Sequence, residues 1–390
     1  MSSTLRFLIL LPALGPLVYY CLAIYSGLVY FRRLRKLPPL DHSFSPPVSI
    51  LKPVRGLDHH AYENFVSFCG LDYPDYEILF AVADAGDPII PVIGKVQKDY
   101  PQQAIRLIVG VEKLGLTLKT NSLVRLAREA THELLVINDS DVRVEPDYLR
   151  DVVAPFVDPK VGCVTAFFRG LTEGGFAADV DAVGVPTDSS ASTLVAKTLG
   201  TLDFALGWTM ATTKTRLAEI GGFESLVNHH SDDFALGNEI FKRGYRIELM
   251  RKPVWMVFPR ETLNDFFKHE LRWSILLKNL RPGGYAAMAM TFGLPWAVLV
   301  ALVVPSFAAS LSYVAAYLVL RLAVAWTIGV WGLNDPVVRK KIWLVPIRDA
   351  LNFCVYLASF FSNTVRWRGI AYRVRGRSFV PLAERPQQNG

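Results

Sequence analysis

Two long runs without a charged residue, one near each end of the chain, restrict the fold more than any other feature. The first extends from Phe7 to Tyr30 and the second from Ala286 to Leu320. Helices in these runs would be long enough to cross a hydrocarbon core about 30 Å thick. Hydrophobic residues make up 51% of the 390 positions, yet the middle has ordinary globular composition. The sequence therefore predicts an anchor over 1–36, a soluble domain over 37–282 and a membrane region over 283–390.

Basic residues lie mainly beside the apolar runs. The first run is followed by Arg32, Arg33, Arg35 and Lys36. Because cytoplasmic flanks of membrane helices are enriched in Lys and Arg, this cluster predicts that the soluble domain lies in the cytoplasm. The expected location is that of a multi-pass protein in a bacterial inner membrane or a eukaryotic endomembrane. Anionic lipid headgroups then account for the net charge of +7, and no nucleic-acid partner is expected. A cleaved signal peptide is the alternative, but the run is long and lacks a convincing cleavage site.

The same charge rule bears on the C-terminal membrane region. Beyond the second uncharged run, Leu322–Leu333 and Ile342–Phe361 are also mainly apolar. Three full spans would place the basic tail outside the cytoplasm, whereas two spans and an interfacial helix would keep it inside. The second arrangement is expected. The basic residues of the tail are Arg366, Arg368, Arg373, Arg375 and Arg377.

Between the membrane segments, short β-branched runs alternate with amphipathic stretches. Strands are predicted at Val48–Leu51, Glu77–Ala83, Ile105–Val109, Glu133–Ile137 and Gly162–Phe168. Helical spacing of apolar residues occurs at Ala61–Cys69, Ser122–Ala130 and Tyr148–Phe156. Strands that alternate with helices in this way predict an α/β domain with a mainly parallel sheet.

Acidic residues directly follow two of the predicted strands. Asp84 comes after Glu77–Ala83, and Asp139 and Asp141 come after Leu134–Ile137. Ligands bind beyond the carboxyl ends of strands in open α/β sheets, so Asp84 could accept hydrogen bonds from a nucleotide. Asp139 and Asp141 could share one hard divalent cation that neutralises a diphosphate. The structural alternatives are a turn at Asp84 and an Asx turn with a helix cap at Asp139.

Two further polar groups lie later in the chain. Asp233 precedes a helical pattern and could be a general base for an acceptor hydroxyl, or it could help to cap that helix. In the stretch His269-Glu270-Leu271-Arg272-Trp273, Arg272 offers a forked donor for a diphosphate and Trp273 a flat face for a sugar or lipid. The alternative for this stretch is an aromatic and basic anchor beside the membrane.

In this order, the four groups resemble those of the processive and lipid-directed glycosyltransferases of families 2 and 21. Further stretches are similar to family 21, the ceramide glucosyltransferases, and they extend the resemblance over nearly the whole chain. These stretches are Ser49–Asp58, Leu71–Pro74, Pro88, Arg143-Val144, Pro146-Asp147, Lys242–Tyr245, Trp367-Arg368 and Tyr372-Arg373.

The resemblance implies a GT-A type nucleotide-sugar-binding domain and a metal-dependent hexosyltransferase that inverts the anomeric carbon. It implies that a UDP-sugar is the donor, that Mg²⁺ or Mn²⁺ lies between Asp139 and Asp141, and that Asp233 is the catalytic base. The residues that it implies for binding of the UDP-sugar are Asp84, Asp139, His269, Arg272 and Trp273. The leading expectation is transfer of glucose from UDP-glucose to ceramide.

Some positions depart from the usual family pattern. His269 stands where Gln or Arg is usual, and Asp232 stands where Glu commonly precedes the third acidic position. The sequence His-Glu-Leu-Arg-Trp and the stretch Arg281–Tyr285 also look like those of the bacterial hopanoid glycosyltransferases, for which N-acetylglucosamine is the expected sugar. A hopanoid N-acetylglucosaminyltransferase is therefore the alternative. A processive polysaccharide synthase would need more membrane helices, and a transport subunit would need polar residues in its spans.

Overall fold

A seven-stranded mixed sheet forms the centre of the soluble domain, in a computed structural model that describes residues 10–40, 43–367 and 370–381. The strands are β1 (Val48–Val54), β2 (Tyr76–Val82), β3 (Ile105–Val109), β4 (Leu134–Ile137), β5 (Val142–Arg143), β6 (Val161–Thr165), β7 (Phe168–Thr172), β8 (Met210–Thr213), β9 (Arg246–Leu249), β10 (Val254–Phe258), β11 (Thr364–Trp367), β12 (Ile370–Arg375) and β13 (Ser378–Pro381). Residues 1–9 of the anchor predicted over 1–36 and Arg368 of the tail lie outside the described residues.

The order in the large sheet is β3-β2-β1-β4-β8-β6-β9. Among its described strands, β8 alone runs antiparallel to its neighbours. The prediction of an α/β domain with a mainly parallel sheet is therefore confirmed. Two smaller sheets have the orders β5-β10-β7 and β11-β12-β13.

One predicted strand is wrong in extent. The run Gly162–Phe168 was expected to form a single strand, but the chain leaves the large sheet after Thr165 and enters the second sheet at Phe168. The backbone N–H of Met250 donates to Thr165 O, and that of Val254 donates to Phe167 O. Because each partner strand captures one half of the run, an unbroken apolar pattern is divided between two sheets.

The inner strands β1, β2, β4 and β6 are buried on both faces, which explains their mainly apolar runs. In β2, Ile78 and Phe80 pack into one hydrophobic cluster, while Leu79 and Ala81 pack into the other. In β4, Val136 and Leu135 divide between the clusters in the same way. This alternation follows from the two-residue period of side chains along a strand.

Helices connect many of the strands and form the candidate membrane segments. The α-helices are α1 (Leu14–Arg35), α2 (Ala61–Val66), α3 (Ile90–Asp99), α4 (Leu118–Glu129), α5 (Tyr148–Val153), α6 (Phe176–Thr187), α7 (Ser189–Thr198), α8 (Lys214–Glu219), α9 (Asp232–Lys242), α10 (Leu263–Leu280), α11 (Pro282–Ala287), α12 (Gly293–Val303), α13 (Phe307–Ala325), α14 (Pro336–Lys341) and α15 (Val345–Ser359). Short 3₁₀ segments occur at Leu11–Ala13, Ala154–Val157, Phe223–Leu226, Met288–Thr291 and Ile342–Leu344, and a π-helix at Trp326–Gly332.

Three helical segments among the described residues are long and apolar enough to cross a membrane. They are Leu11–Arg35, Phe307–Gly332 and Pro336–Ser359. A fourth span is possible in composition if Pro282–Thr291 and Gly293–Val303, which meet at 57°, act together. The long uncharged run is thus divided, because Pro305 follows the end of α12 and the Ser306 side chain accepts from Ala309 N, 3.3 Å away, at the start of α13.

The soluble domain and the candidate membrane helices share contacts through α6 and α7. Helix α7 packs against α1, whereas α6 packs against α14 and α15. Helix α10, which carries Arg272 and Trp273, also packs against α15. The elements predicted to bind substrate therefore lie directly against the apolar helices.

Candidate active site

The carboxyl ends of β1, β2 and β4 place the first acidic groups on one edge of the sheet. Asp84 follows β2 and Asp139 follows β4, with β1 between these two strands. Neighbouring strands lie about 4.8 Å apart, so the two positions are separated by roughly 10 Å across the sheet. Asp84 is exposed, and its Oδ1 accepts from Gly86 N at 2.9 Å, as the turn interpretation predicts.

Asp139 and Asp141 lie in a group of carboxylates. The Ser140 hydroxyl donates to Asp58 Oδ2, which holds a third acid from the end of β1 against this loop. Burial, and then the neighbouring Asp139 and Asp58, raise the pKa of Asp141 to about 7. This excess of negative charge and the hard oxygen donors of Asp139 and Asp141 fit a divalent cation.

Lys119 connects this group to the third acidic position. Its Nζ lies 2.8 Å from Asp139 Oδ1 and 3.0 Å from Asp232 Oδ2. Burial lowers the pKa of the Lys119 ammonium, but Asp139 and Asp232 outweigh burial and raise it above the usual value. One ammonium group therefore brings together acids that are 93 positions apart in the sequence.

Asp233 lies in the first turn of α9, beside Asp232. Its Oδ1 accepts from Phe234 N at 2.7 Å. A Cβ atom on Gly207 would lie 3.0 Å from Asp233 Oδ2, so the loop that contains this glycine closes against the carboxylate. Burial, and then Asp232, raise the pKa of Asp233 to about 7, while Lys119 lowers it. A carboxylate with a pKa near neutrality is suited to general base catalysis.

The C-terminal tail braces the loop that precedes this acidic pair. The backbone N–H of His230 donates to Arg377 O, and its Nε2 lies 3.0 Å from Gly376 O. Burial lowers the pKa of His230 to about 4. Tyr372 of the small sheet also packs with Ile275 of α10. The stretch that was expected to be a basic tail thus forms a sheet that connects α9 with α10.

The motif helix α10 begins with a capping box. The Thr262 side chain accepts from Asp265 N, and the Asp265 carboxylate accepts from Thr262 N. Further along the helix, Trp273 Nε1 donates to His269 Nε2 at 2.9 Å. His269 Nδ1 lies 3.4 Å from Asp181 Oδ2 on α6. Both ring nitrogens of His269 therefore face protein partners, and its contact with a UDP-sugar stays a prediction.

Arg272 and Trp273 are adjacent on α10 and differ in exposure. Trp273 is 46% exposed, and the Arg272 guanidinium carbon lies 5.7 Å from the centroid of its ring system. An exposed indole face and a neighbouring guanidinium are able to bind a sugar ring and a diphosphate. The roles of both residues stay predictions.

A second group of possible metal ligands occurs among the described residues. Ligand atoms of Asp181, His269 and Glu270 lie within 4.8 Å of one another. The guanidinium of Arg348 already supplies a positive charge there, 3.3 Å from Asp181 and 2.9 Å from Glu270. The assignment of a divalent cation to Asp139 and Asp141, where Lys119 likewise contacts Asp139, stays a prediction.

Four residues near these groups were not predicted as site residues from the sequence: Lys52, Asp58, Lys119 and Asp181. Lys52 is buried, with its Nζ donating to Asp139 O at 3.3 Å. The position of Asp58 beyond the end of β1 is a signal of the kind used for Asp84. Lys119 and Asp181 lie in helices α4 and α6, and no sequence signal marked either of them.

Comparison with known proteins adds a family and a fold. The sequence model of glycosyl transferase family 21 matches residues 9–379. Ceramide glucosyltransferase 3 of Caenorhabditis elegans is 26% identical over 278 residues, which are 70% of this chain and 60% of that protein. Ceramide glucosyltransferase 1 of the same organism is 26% identical over 229 residues, which are 58% of this chain and 49% of that protein. The matched part thus spans about half of each relative.

A solved structure supports the fold independently. A mannosyltransferase from Pyrobaculum calidifontis in complex with GDP-Man and Mn²⁺ has a TM-score of 0.57 and is 19% identical. The match covers 90% of this chain and 99% of that chain. The prediction of a GT-A type domain with added membrane helices is confirmed.

Proposed function

Because the chain belongs to glycosyl transferase family 21, we propose that it transfers a hexose from a UDP-sugar to a hydroxyl group of a membrane lipid. The proposed donor is UDP-glucose and the proposed acceptor is ceramide, in line with the names of its curated relatives. The observation that carries this proposal is the Lys119 ammonium, which joins Asp139 and Asp232 beside Asp233. It supports a common cleft for the donor groups and the base.

The donor is proposed to lie along the carboxyl edge of the sheet. Asp84 would accept hydrogen bonds from the nucleoside, and Asp139 and Asp141 would hold Mg²⁺ or Mn²⁺. When bound, the cation supplies positive charge that stabilises the departing diphosphate. Arg272 would donate to the same phosphates, because its planar fork matches their oxygens.

Asp233 would remove the proton of the lipid hydroxyl. The hydroxyl oxygen then forms a bond to the anomeric carbon from the face opposite the diphosphate, the bond from that carbon to the UDP oxygen breaks, and the proton stays on Asp233. One displacement inverts the configuration, so no covalent sugar intermediate is needed. The pKa of about 7 supports the base role, since the carboxylate can accept a proton at neutral pH.

The placement beside a membrane follows from the acceptor. A two-chain lipid does not leave a bilayer readily, so its hydroxyl must be reached at the bilayer surface. The contacts of α6 and α7 with α1, α14 and α15 support such a position. We propose a cytoplasmic location for the soluble domain because of the basic residues that follow α1.

A hopanoid N-acetylglucosaminyltransferase is the second candidate. The observation that favours it is the contact of His269 with Trp273, because Gln or Arg is usual at this position and neither places an imidazole ring beside the indole. A changed orientation of Trp273 would change the shape of the sugar site. Pocket shape of this kind decides between closely related sugars.

The test uses the purified full-length protein in lipid nanodiscs. UDP-glucose and UDP-N-acetylglucosamine are each incubated with ceramide, diacylglycerol or a hopanoid, and the lipid products are identified by mass spectrometry. Glucosylceramide is the expected product, and the Asp233→Asn protein should form none. Transfer of N-acetylglucosamine to the hopanoid alone would select the second candidate, and no glycolipid from any pair would reject both.

A further inference from the structure

A buried ionic cluster joins a candidate membrane helix to the helix that carries Trp273. Arg348 of α15 is 3% exposed, and so is Asp181 of α6. Arg348 Nη1 lies 3.3 Å from Asp181 Oδ1, and its Nη2 lies 2.9 Å from Glu270 Oε2 on α10. A single guanidinium therefore holds three helices together. We call Arg348, Asp181, Glu270 and His269 the α6–α10–α15 cluster.

Gly184 makes room for this guanidinium. A Cβ atom at Gly184 would lie 2.6 Å from Arg348 Cζ, far inside van der Waals contact. Arg348 therefore rests against the backbone of α6, less than one turn after Asp181. On its other side, Arg348 Cζ lies 4.8 Å from the centroid of the Phe266 ring. The guanidinium is thus fixed in place by packing as well as by charge.

The cluster continues to Trp273 through His269. An indole N–H is a donor only, so His269 Nε2 must be the acceptor of the 2.9 Å hydrogen bond from Trp273. The proton of the neutral imidazole is then on Nδ1, which lies 3.4 Å from Asp181 Oδ2. Asp181 thereby selects the tautomer that can receive the indole N–H. Its other oxygen faces Arg348, which fixes the carboxylate itself.

We infer that Asp181, His269 and Arg348 are positioning residues that set the orientation of the Trp273 indole. Trp273 is 46% exposed. The angle of its exposed face is then set in part by Arg348 of α15, a helix of the predicted membrane region. The consequence for transfer rests on the proposed function, in which Trp273 contacts the sugar or the lipid. The orientation itself does not depend on it.

The test measures the indole directly. The protein is labelled with 5-fluorotryptophan in nanodiscs, and the Trp273 ¹⁹F resonance is assigned as the signal that is lost from the spectrum in Trp273→Phe. His269→Phe gives the resonance of an indole without its acceptor. Asp181→Asn and Gly184→Ala are expected to move the resonance toward that position, because they remove the charge and displace Arg348.

Asp179→Asn is the matched control. Asp179 lies on α6 and forms an ion pair with Lys341 of α14, so it also links the soluble domain to a membrane helix. It makes no described contact with His269. Its substitution should leave the Trp273 resonance unchanged. An unchanged resonance in folded Asp181→Asn and Gly184→Ala proteins would overturn the inference, and if one of them does not fold the other decides.

Activity provides a separate measurement. Asp181→Asn and Gly184→Ala should lower kcat/KM for the lipid acceptor about tenfold, because small misplacement of a binding group is costly, while UDP affinity changes less than about twofold. A moved resonance without a change in kcat/KM would keep the positioning role and reject the proposed contact of Trp273 with substrate. Loss of UDP affinity equal to the loss of kcat/KM would instead indicate general disruption and overturn the specific role.

Discussion

The carboxyl edge of the large sheet and the bundle of helices α6, α10, α13 and α15 beside it both pair carboxylates with cations. The cations are lysines at the edge and arginines in the bundle. At the edge, carboxylates from Asp58, Asp139, Asp141, Asp232 and Asp233 surround the ammonium groups of Lys52 and Lys119. Burial, and then the neighbouring carboxylates, raise the pKa values of Asp141 and Asp233 to about 7. In the bundle, each of two buried arginines, Arg321 and Arg348, contacts two carboxylates.

Arg321 shows the second arrangement most clearly. Its Nε lies 3.0 Å from both oxygens of Asp349, and its Nη2 also contacts Asp188. A guanidinium has a fixed set of donors, whereas an ammonium is a compact charge on a flexible stem. Carboxylates outnumber the cations in both regions, so the comparison teaches that the kind of cation matters: the compact ammonium of lysine suits exchange for a ligand, while the fixed donors of arginine suit permanent attachment.

The largest expected effect comes from the base. Asp233→Asn should lower kcat by about a thousandfold, within the range for general base catalysis, and leave UDP binding intact. Mass spectrometric turnover and calorimetric UDP binding measure the two quantities. Glu239→Gln on the same helix, whose side chain pairs with Lys242 at the surface, is the control and should keep full activity. Unchanged turnover in Asp233→Asn would remove the base assignment.

Removal of an arginine should affect stability more than removal of a lysine. Arg321→Met leaves the buried Asp349 carboxylate without an ion pair and should cost about 3–5 kcal/mol of unfolding free energy. Lys119→Met should cost about 1–3 kcal/mol, because Asp139 is 38% exposed and water can replace the ammonium. Thermal unfolding in detergent compares the two. Equal losses of stability would contradict the distinction between the regions.

Substitution of Asp139 should weaken the part of UDP binding that depends on the metal. Asp139→Ala should weaken UDP binding in the presence of Mn²⁺ about tenfold and have little effect in a chelator, because the missing carboxylate acts through the cation. Titration calorimetry under both conditions is the measurement. Asp179→Asn provides a control on a distant acid. An intact response to Mn²⁺ would contradict the metal role.

The smallest expected effect is on the pH profile. Asp233 must be ionised to act as a base, so kcat/KM should fall tenfold per unit as the pH drops below about 7. Lys119 lowers the pKa of Asp233, so Lys119→Met should move this limb to higher pH. Initial rates between pH 5 and 9 test both statements. A profile that stays level down to pH 5 would argue against Asp233 as the titrating group.

Local sequence was enough for much of the fold and part of the site. Strands β1, β2 and β4 are mainly apolar because both of their faces are buried, and an apolar run is visible without any partner. In parallel strands the carboxyl ends share one edge, so the places of Asp84 and Asp139 followed from the strand pattern. The run at Gly162 was misjudged because its division depends on two different partner strands.

By itself, then, the sequence determined the α/β domain, the apolar helices at both ends and the edge on which the acids lie, since these depend on periodicity and on residues close in the chain. Tertiary structure alone decided that Lys119 joins Asp139 to Asp232 and that Arg348 reaches Asp181 and Glu270 over Gly184. Such contacts link residues tens to hundreds of positions apart, and they arise only when helices pack and bring their side chains together.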